Sequence, residues 1–197
     1  MGDNSSEMAL LPTVNLGTGR TATAISAGYY HSCALLDNAS VKCWGYNGNG
    51  QLGIDSQTQM GDGSGEMAVL PTVNLGTGRT ATAISAGFFH DCALLDNASV
   101  KCWGRNNHGQ LGIGNTSTMG SSTSSWASMA VLPTVNLGTG RTATSIDAGD
   151  YHTCAVLDNA SVKCWGNNDY GQLGIGNTTH MGDGSGEMGD NLNAIDL

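Results

Sequence analysis

Apolar and polar positions alternate along this chain in runs of five to seven residues, each cut off by glycine or a tight polar turn. No window keeps a 3.6-residue apolar period, so the pattern predicts strands and not helices. The first unit reads as four strands. Leu10 to Leu16 opens it, with Pro12 early enough to suit an edge or a strand start. Gly17-Thr18-Gly19 turns the chain into Ala22 to Ala27, where Ala24 and Ser26 face away from Ile25, and Gly28 stops it. His31 to Leu36 and Ser40 to Gly45 follow, joined through Asp37-Asn38-Ala39. A glycine-broken loop from Tyr46 to Glu66 leads onward.

The same pattern then returns. Leu11 to Ser26 is identical to Leu70 to Ser85, and Leu132 to Asp147 agrees with it at 14 of 16 positions. Cys33, Cys92 and Cys154 lie 59 and 62 residues apart. Self-similarity at such a period marks a repeat architecture in which each unit buries its faces against its neighbours. The units fall at 1–59, 60–118 and 119–180, and 181–197 supplies a loop and the first strand of a fourth. Met1-Gly aligns with Met60-Gly, Met119-Gly and Met181-Gly, so the sequence reads as an excerpt or a mature fragment.

Two pieces of each unit are distinctive: Ala-Gly two residues before a His, and Trp-Gly-x-Asn-x-x-Gly-Gln-Leu-Gly after the last strand. The first is Ala27-Gly28…His31, Ala86-Gly87…His90 and Ala148-Gly149…His152. The second begins at Trp44, Trp103 and Trp165, running on to Gly53, Gly112 and Gly174. In these pieces the chain resembles the regulator of chromosome condensation repeat family. The resemblance implies an all-β fold, a β-propeller with blades of four antiparallel strands, usually seven of them. Seven units of this length need roughly 420 residues, and three blades do not close a ring. A partial propeller is expected, completed by the rest of a longer polypeptide, by other chains, or not at all.

Glycine supplies 30 of 197 residues and proline only 3, so glycine makes the turns. Formal charge is −9, with three Lys and four Arg. Binding to phosphate backbones needs clustered cations to displace counterions, which argues against nucleic acid as a partner. No apolar run approaches the roughly 20 residues of a membrane-spanning helix, and none is expected to insert.

Each unit carries two Cys ten positions apart: Cys33 and Cys43, Cys92 and Cys102, Cys154 and Cys164. A three-residue hairpin loop makes them directly opposed, with Cβ atoms about 4.5–5.5 Å apart and within reach of a bridge. Three states are open: hairpin disulfides, free buried thiols, and a metal site, for which one pair and one His is a poor set. Disulfides are favoured because every copy keeps both partners, and they imply an oxidising compartment. The hairpin tips also read as N-glycosylation acceptors at Asn38, Asn97 and Asn159, with further acceptors at Asn115, Asn177 and Asn4. Asn is favoured in turns for conformational reasons as well.

No catalytic constellation is set up around His31, His90 and His152, which share one repeat position, and no phosphate-binding glycine motif is present. The loops Asp62 to Glu66 and Asp183 to Glu187 offer oxygens suited to calcium, but Gly120 to Ala127 in the third copy has no acid, so a flexible acidic loop is the better reading. No catalytic residue, cofactor or metal is therefore assigned. What varies between copies is aromatic and polar turn residues: Tyr29, Tyr30, Phe88 and Phe89 before the His, and Tyr46, Arg105, His108 and Tyr170 after the Trp. Variable turns on a constant frame are where such scaffolds bind partners.

Three functions follow. The first is a non-enzymatic extracellular or cell-surface module, structural or protein-binding, stapled by disulfides and bearing N-linked glycan; its partners are other proteins, or further copies or repeats that complete the propeller. The resemblance also allows an intracellular regulator, acting in guanine-nucleotide exchange on a small GTPase or in substrate recruitment by a ubiquitin ligase. A secreted enzyme inhibitor binding through propeller loops is the third.

Overall fold

A computed structural model describes residues 7–122 and 127–196. Among them stand three antiparallel sheets of three strands, one per repeat: β1 Ala22–Ala27, β2 His31–Leu36 and β3 Val41–Gly45; β4 Ala81–Ala86, β5 His90–Leu95 and β6 Val100–Gly104; β7 Ala143–Ala148, β8 His152–Leu157 and β9 Val162–Gly166. Each is a meander, with the middle strand of the three in the middle of the sheet. The expected register holds throughout, with Leu35 opposite Val41 and Cys33 opposite Cys43.

The strand expected over Leu10 to Leu16 is not a fourth strand of its own sheet. Its counterpart in the second repeat crosses to the first blade, where the Val73 amide donates to Val41 O (2.8 Å); further on, the Ala81 amide at the start of β4 donates to Ala39 O (2.9 Å). Val135 does the same to Val100, and Ile195 to Val162. Pro71 and Pro133 lie in these segments; a chain with proline donates too few amides for a regular ladder, which leaves an extended strap in place of a strand. Each strap belongs to one repeat and lies along the edge of the preceding blade, so consecutive repeats are laced together.

The blades stack sheet on sheet. Alternation sends Cys33, Leu35, Val41 and Cys43 towards the next blade, and Ile25, Ala34 and Trp44 the other way. Trp103, Leu111, Val100, Leu95, Trp165 and Leu173 are fully buried between blades or under their loops. Among the described residues, no further blade packs on the outer face of the first or the last.

All three cysteine pairs are disulfides, Cys33–Cys43, Cys92–Cys102 and Cys154–Cys164, and the described residues include no free thiol. At the hairpin tips the left-handed position falls on alanine: Ala39, Ala98 and Ala160 have φ of 61°, 60° and 66°. A Cβ there costs about 1–2 kcal/mol.

Two outcomes are expected in denaturant melts. Replacing Cys92 and Cys102 together by serine lowers stability by about 2–3 kcal/mol, the loop-closure value for so short a ring. Ala98→Gly raises it by roughly 0.5–1 kcal/mol, because relief of the left-handed strain exceeds the added freedom of the unfolded chain.

Candidate functional site

Two of the repeated histidines, His31 and His90, are locks between blades. Gly28 and Gly87 make room for them: a Cβ on either would collide with the imidazole of His31 or His90, and with the backbone O of Gly87 or Gly149 in the next blade. From that turn His31 reaches across to Asp91, Nε2 to Oδ2 at 2.7 Å, both side chains buried. One blade further on, His90 Nε2 meets Thr153 Oγ1 at 3.0 Å. The Thr153 hydroxyl donates its hydrogen to Gln110 O (2.9 Å), so His90 donates from Nε2 and its Nδ1 is left bare. That Nδ1 is buried and has no partner. Burial first, then the neighbouring His152 and His31, pushes the His90 pKa down to about 3. Burial pushes Asp91 up, and His31 offsets part of the shift.

Two more bonds recur at each junction. The Trp103 indole donates to Gln51 O (2.9 Å), and Trp165 donates to Gln110 O (3.0 Å). The amides of Ala86 and Ala148 donate to Ser26 Oγ and Ser85 Oγ, each at 2.9 Å. His31, Cys33 and Asp91 bring three metal-ligand types within 4.8 Å of one another. Cys33 is half of a disulfide and offers no thiolate, so the cluster is a buried His–Asp hydrogen bond against a cystine. The acidic loops are also spoken for: Glu66 Oε2 accepts from the amides of Gly61 and Gly63, and Glu187 Oε2 from Gly182 and Gly184.

The variable turn residues converge on one rim. β1 enters β2 there and β3 leaves it, so residues far apart in sequence become neighbours. Tyr29 stacks on Phe88 (4.0 Å between centroids, 17° between planes) and packs against Tyr30 (4.2 Å). Phe88 meets Phe89 at 4.5 Å and Tyr151 at 5.2 Å, and Tyr46 meets Phe89 at 5.5 Å. The Arg105 guanidinium lies 6.0 Å from the Phe89 ring and 5.4 Å from the Tyr151 ring. His108 continues the row at 5.6 Å from Tyr151. Tyr29 and Tyr30 remain 55% and 60% exposed. Tyr170, 93% exposed, stands at the far end beside a hollow it shares with Asp150, Tyr151, His152, Asn167 and Gln172.

Tyr151, which stands in the third copy where the others have Tyr30 and Phe89, belongs to the row as well, and His180 is a member that the sequence reading missed. His180 stands where the second copy has Thr118, in the run 174–182 that parallels 112–120. The Asn168 amide donates to His180 Nδ1 (3.0 Å), so His180 carries its hydrogen on Nε2, facing His108 Nδ1 (3.4 Å). Burial is the main cause of a lowered His108 pKa, ahead of His180 and Arg105.

The opposite rim carries the hairpin tips. Asn38, Asn97 and Asn159 are exposed, and each Oδ1 accepts the hydroxyl of the following Ser at 2.7 Å. Asn115 and Asn177 accept the amides of Ser117 and Thr179 (both 2.8 Å). Asn4 lies outside the described residues.

A family profile described as "Regulator of chromosome condensation (RCC1) repeat" matches residues 22–51, 81–110 and 143–172. A second profile of the same description matches 99–156, and the two together cover more than half of the chain. The ultraviolet-B receptor UVR8 of Arabidopsis thaliana is 34% identical over 161 residues, 81% of this chain and 32% of that protein. The probable E3 ubiquitin-protein ligase HERC4 of Rattus norvegicus is 30% identical over 158 residues, 79% of this chain and 13% of its own length. Among solved structures, Prp20p of Saccharomyces cerevisiae superimposes with a TM-score of 0.65 at 21% identity, covering 89% of this chain and 38% of that one. The chain thus spans well under half the length of these relatives.

The bare Nδ1 of His90 makes stability fall with acid. Its folded pKa lies below the ordinary value of about 6.5, so the unfolded chain binds the extra proton between pH 6.5 and 3. The contribution is complete above pH 6.5 and is lost on descent. Between pH 7 and pH 5 this one group should account for roughly 2 kcal/mol. The check is the difference in pH dependence of urea melts between wild type and His90→Gln, which should show the flatter profile.

Proposed function

The chain belongs to the regulator of chromosome condensation repeat family, and from that premise we propose that it is a non-enzymatic protein-binding propeller module whose aromatic rim receives the partner. The observation that carries this reading is the continuous row of rings from Tyr30 and Tyr46 through Phe88 to Tyr151, laid across three blades, exposed at Tyr29, Tyr30 and Tyr46 and half-buried at Phe88, Phe89 and Tyr151. Exposed, contiguous aromatic surface is costly in water and is the material of binding hot spots. Arg105, wedged between two of the rings, adds a fixed charge to an otherwise apolar row. Of the repeated histidines, His31 and His90 are committed to the blade beside them.

The compartment is extracellular or cell-surface in this proposal. Its support is the three hairpin disulfides, which persist in oxidising surroundings, together with acceptor asparagines exposed on the rim opposite the aromatic row. Glycans on Asn38, Asn97 and Asn159 would leave that row open.

Two measurements test it. A partner retained by the wild-type chain should be lost at least tenfold by Tyr29→Ser combined with Phe88→Ser and Arg105→Glu, while Asn97→Gln, on the other rim, retains it; equal retention by the triple variant would defeat the assignment. Intact mass of the secreted chain should fall on deglycosylation, and its six cysteines should alkylate only after reduction. Six reactive thiols and no glycan would remove the extracellular part.

A further inference from the structure

Six of the seven Lys and Arg side chains have a place that the repeats explain. Lys42, Lys101 and Lys163 are buried at one shared position. Arg20, Arg79 and Arg141 share another, each 3.4–3.5 Å from the carboxylate of Asp37, Asp96 or Asp158. Arg105 is the seventh and has no counterpart: the first copy carries Tyr46 at this turn and the third Asn167. A frame that accepts a phenol or an amide there does not need a guanidinium.

Arg105 is also held in place. Its Nε donates to Asn107 Oδ1 (2.8 Å), and its guanidinium lies beside the Phe89 ring of the second blade and the Tyr151 ring of the third. Both blades belong to this chain, so the spot is complete without either outer face of the stack. A guanidinium has five N–H hydrogens and Nε uses one; among the described residues nothing accepts the other four. Ring faces repay part of the lost hydration of a cation but bond none of its N–H groups. The side chain is half-buried and already oriented, so it loses little rotamer freedom on taking an acceptor.

The surroundings narrow what that acceptor is. A carboxylate takes Nη1 and Nη2 together as a fork, in charge-assisted bonds that a neutral amide cannot match. Phe88, Phe89 and Tyr151, all half-buried, offer rings for an apolar or aromatic side chain beside it. A polyanion fits poorly, since formal charge is −9 and Asp169 and Asp183 already set negative charge near the adjoining His108. The site suits one acid in an otherwise apolar segment.

We propose that Arg105 determines the specificity of the aromatic rim, and that the partner enters there as a peptide segment carrying one aspartate or glutamate next to an aromatic side chain. The carboxylate takes the two Nη groups, and the aromatic side chain packs on the neighbouring Phe88 and Phe89. This rests on the rim reading and adds to it the chemistry of the partner.

The test is selection of random heptapeptides displayed on phage, in internal and free C-terminal formats, against the 197-residue chain and against Arg105→Gln. Near-ultraviolet circular dichroism confirms that the variant folds. Peptides taken by wild type should pair an aromatic residue with Asp or Glu, and those taken by Arg105→Gln should keep the aromatic residue and lose the acid. In a selected peptide, replacing the acid by its amide should weaken binding to wild type at least fivefold and to Arg105→Gln less than twofold. Arg105→Lys should recover only part of the difference, because an ammonium group cannot fork. Aromatic peptides without an acid, selected by wild type, overturn this proposal and leave the rim reading standing. Selection only of free C-termini moves the acceptor to a terminal carboxylate and overturns the side-chain assignment. No selected peptide at all, or binding unchanged by Phe88→Ser, overturns both readings.

Discussion

A three-stranded sheet with an apolar face on each side has too little of its own to cover either, and the blade-to-blade junction follows from that shortage. Nearly every fully buried large side chain here lies between sheets or beneath the loop joining one sheet to the next. The polar groups that cannot avoid these contacts are paired across them. The His ring fills the space that a glycine leaves, the indole finds a carbonyl, and a serine hydroxyl takes an amide. Burying such groups without partners would cost several kcal/mol each, so the bonds act mainly by preventing loss and by setting one rotation of blade on blade.

The same lock is built with different chemistry at its two internal occurrences. Asp91 gives His31 a carboxylate, and Thr153 gives His90 a neutral hydroxyl that is itself anchored on Gln110. The first is a buried hydrogen bond to a carboxylate, costly to break because either partner would be left unpaired out of water. The second keeps its imidazole neutral, and in both the ring Nδ1 is left without a partner. By contrast, the salt bridges that repeat on the surface, Arg20–Asp37, Arg79–Asp96 and Arg141–Asp158, are more than a third exposed or nearly so, and contribute little.

The proposed function rests on the division between rims. Strand direction sends the β1–β2 turns to one end of every blade and the β2–β3 hairpins to the other, so duplication multiplied two unlike surfaces. One gathered aromatic rings and a single Arg. The other kept a rigid Asn-Ala-Ser tip whose asparagine oxygen is tied to the following serine. The copies differ at positions 29–30, 88–89 and 150–151, while the strands on either side keep the same register.

Strand order, hairpin register and cysteine pairing were all legible in the sequence, because each is decided within about fifteen residues by alternation and turn length. Cys33 opposite Cys43 follows from a three-residue loop alone. The aromatic turn residues were visible as the variable ones, although their union into one row was not. The strap was misread as a fourth strand of its own sheet, because a local pattern such as Leu-Pro-Thr-Val-Asn-Leu does not say which edge it will meet. Likewise nothing in the sequence singles out Asp91 from Ser32 and Thr153 at the same repeat position, and only the packing of one blade on the next makes it the partner of His31. Local spacing determined each blade; which groups face one another across blades depends on contacts about sixty residues apart, and those exist only once the sheets are stacked.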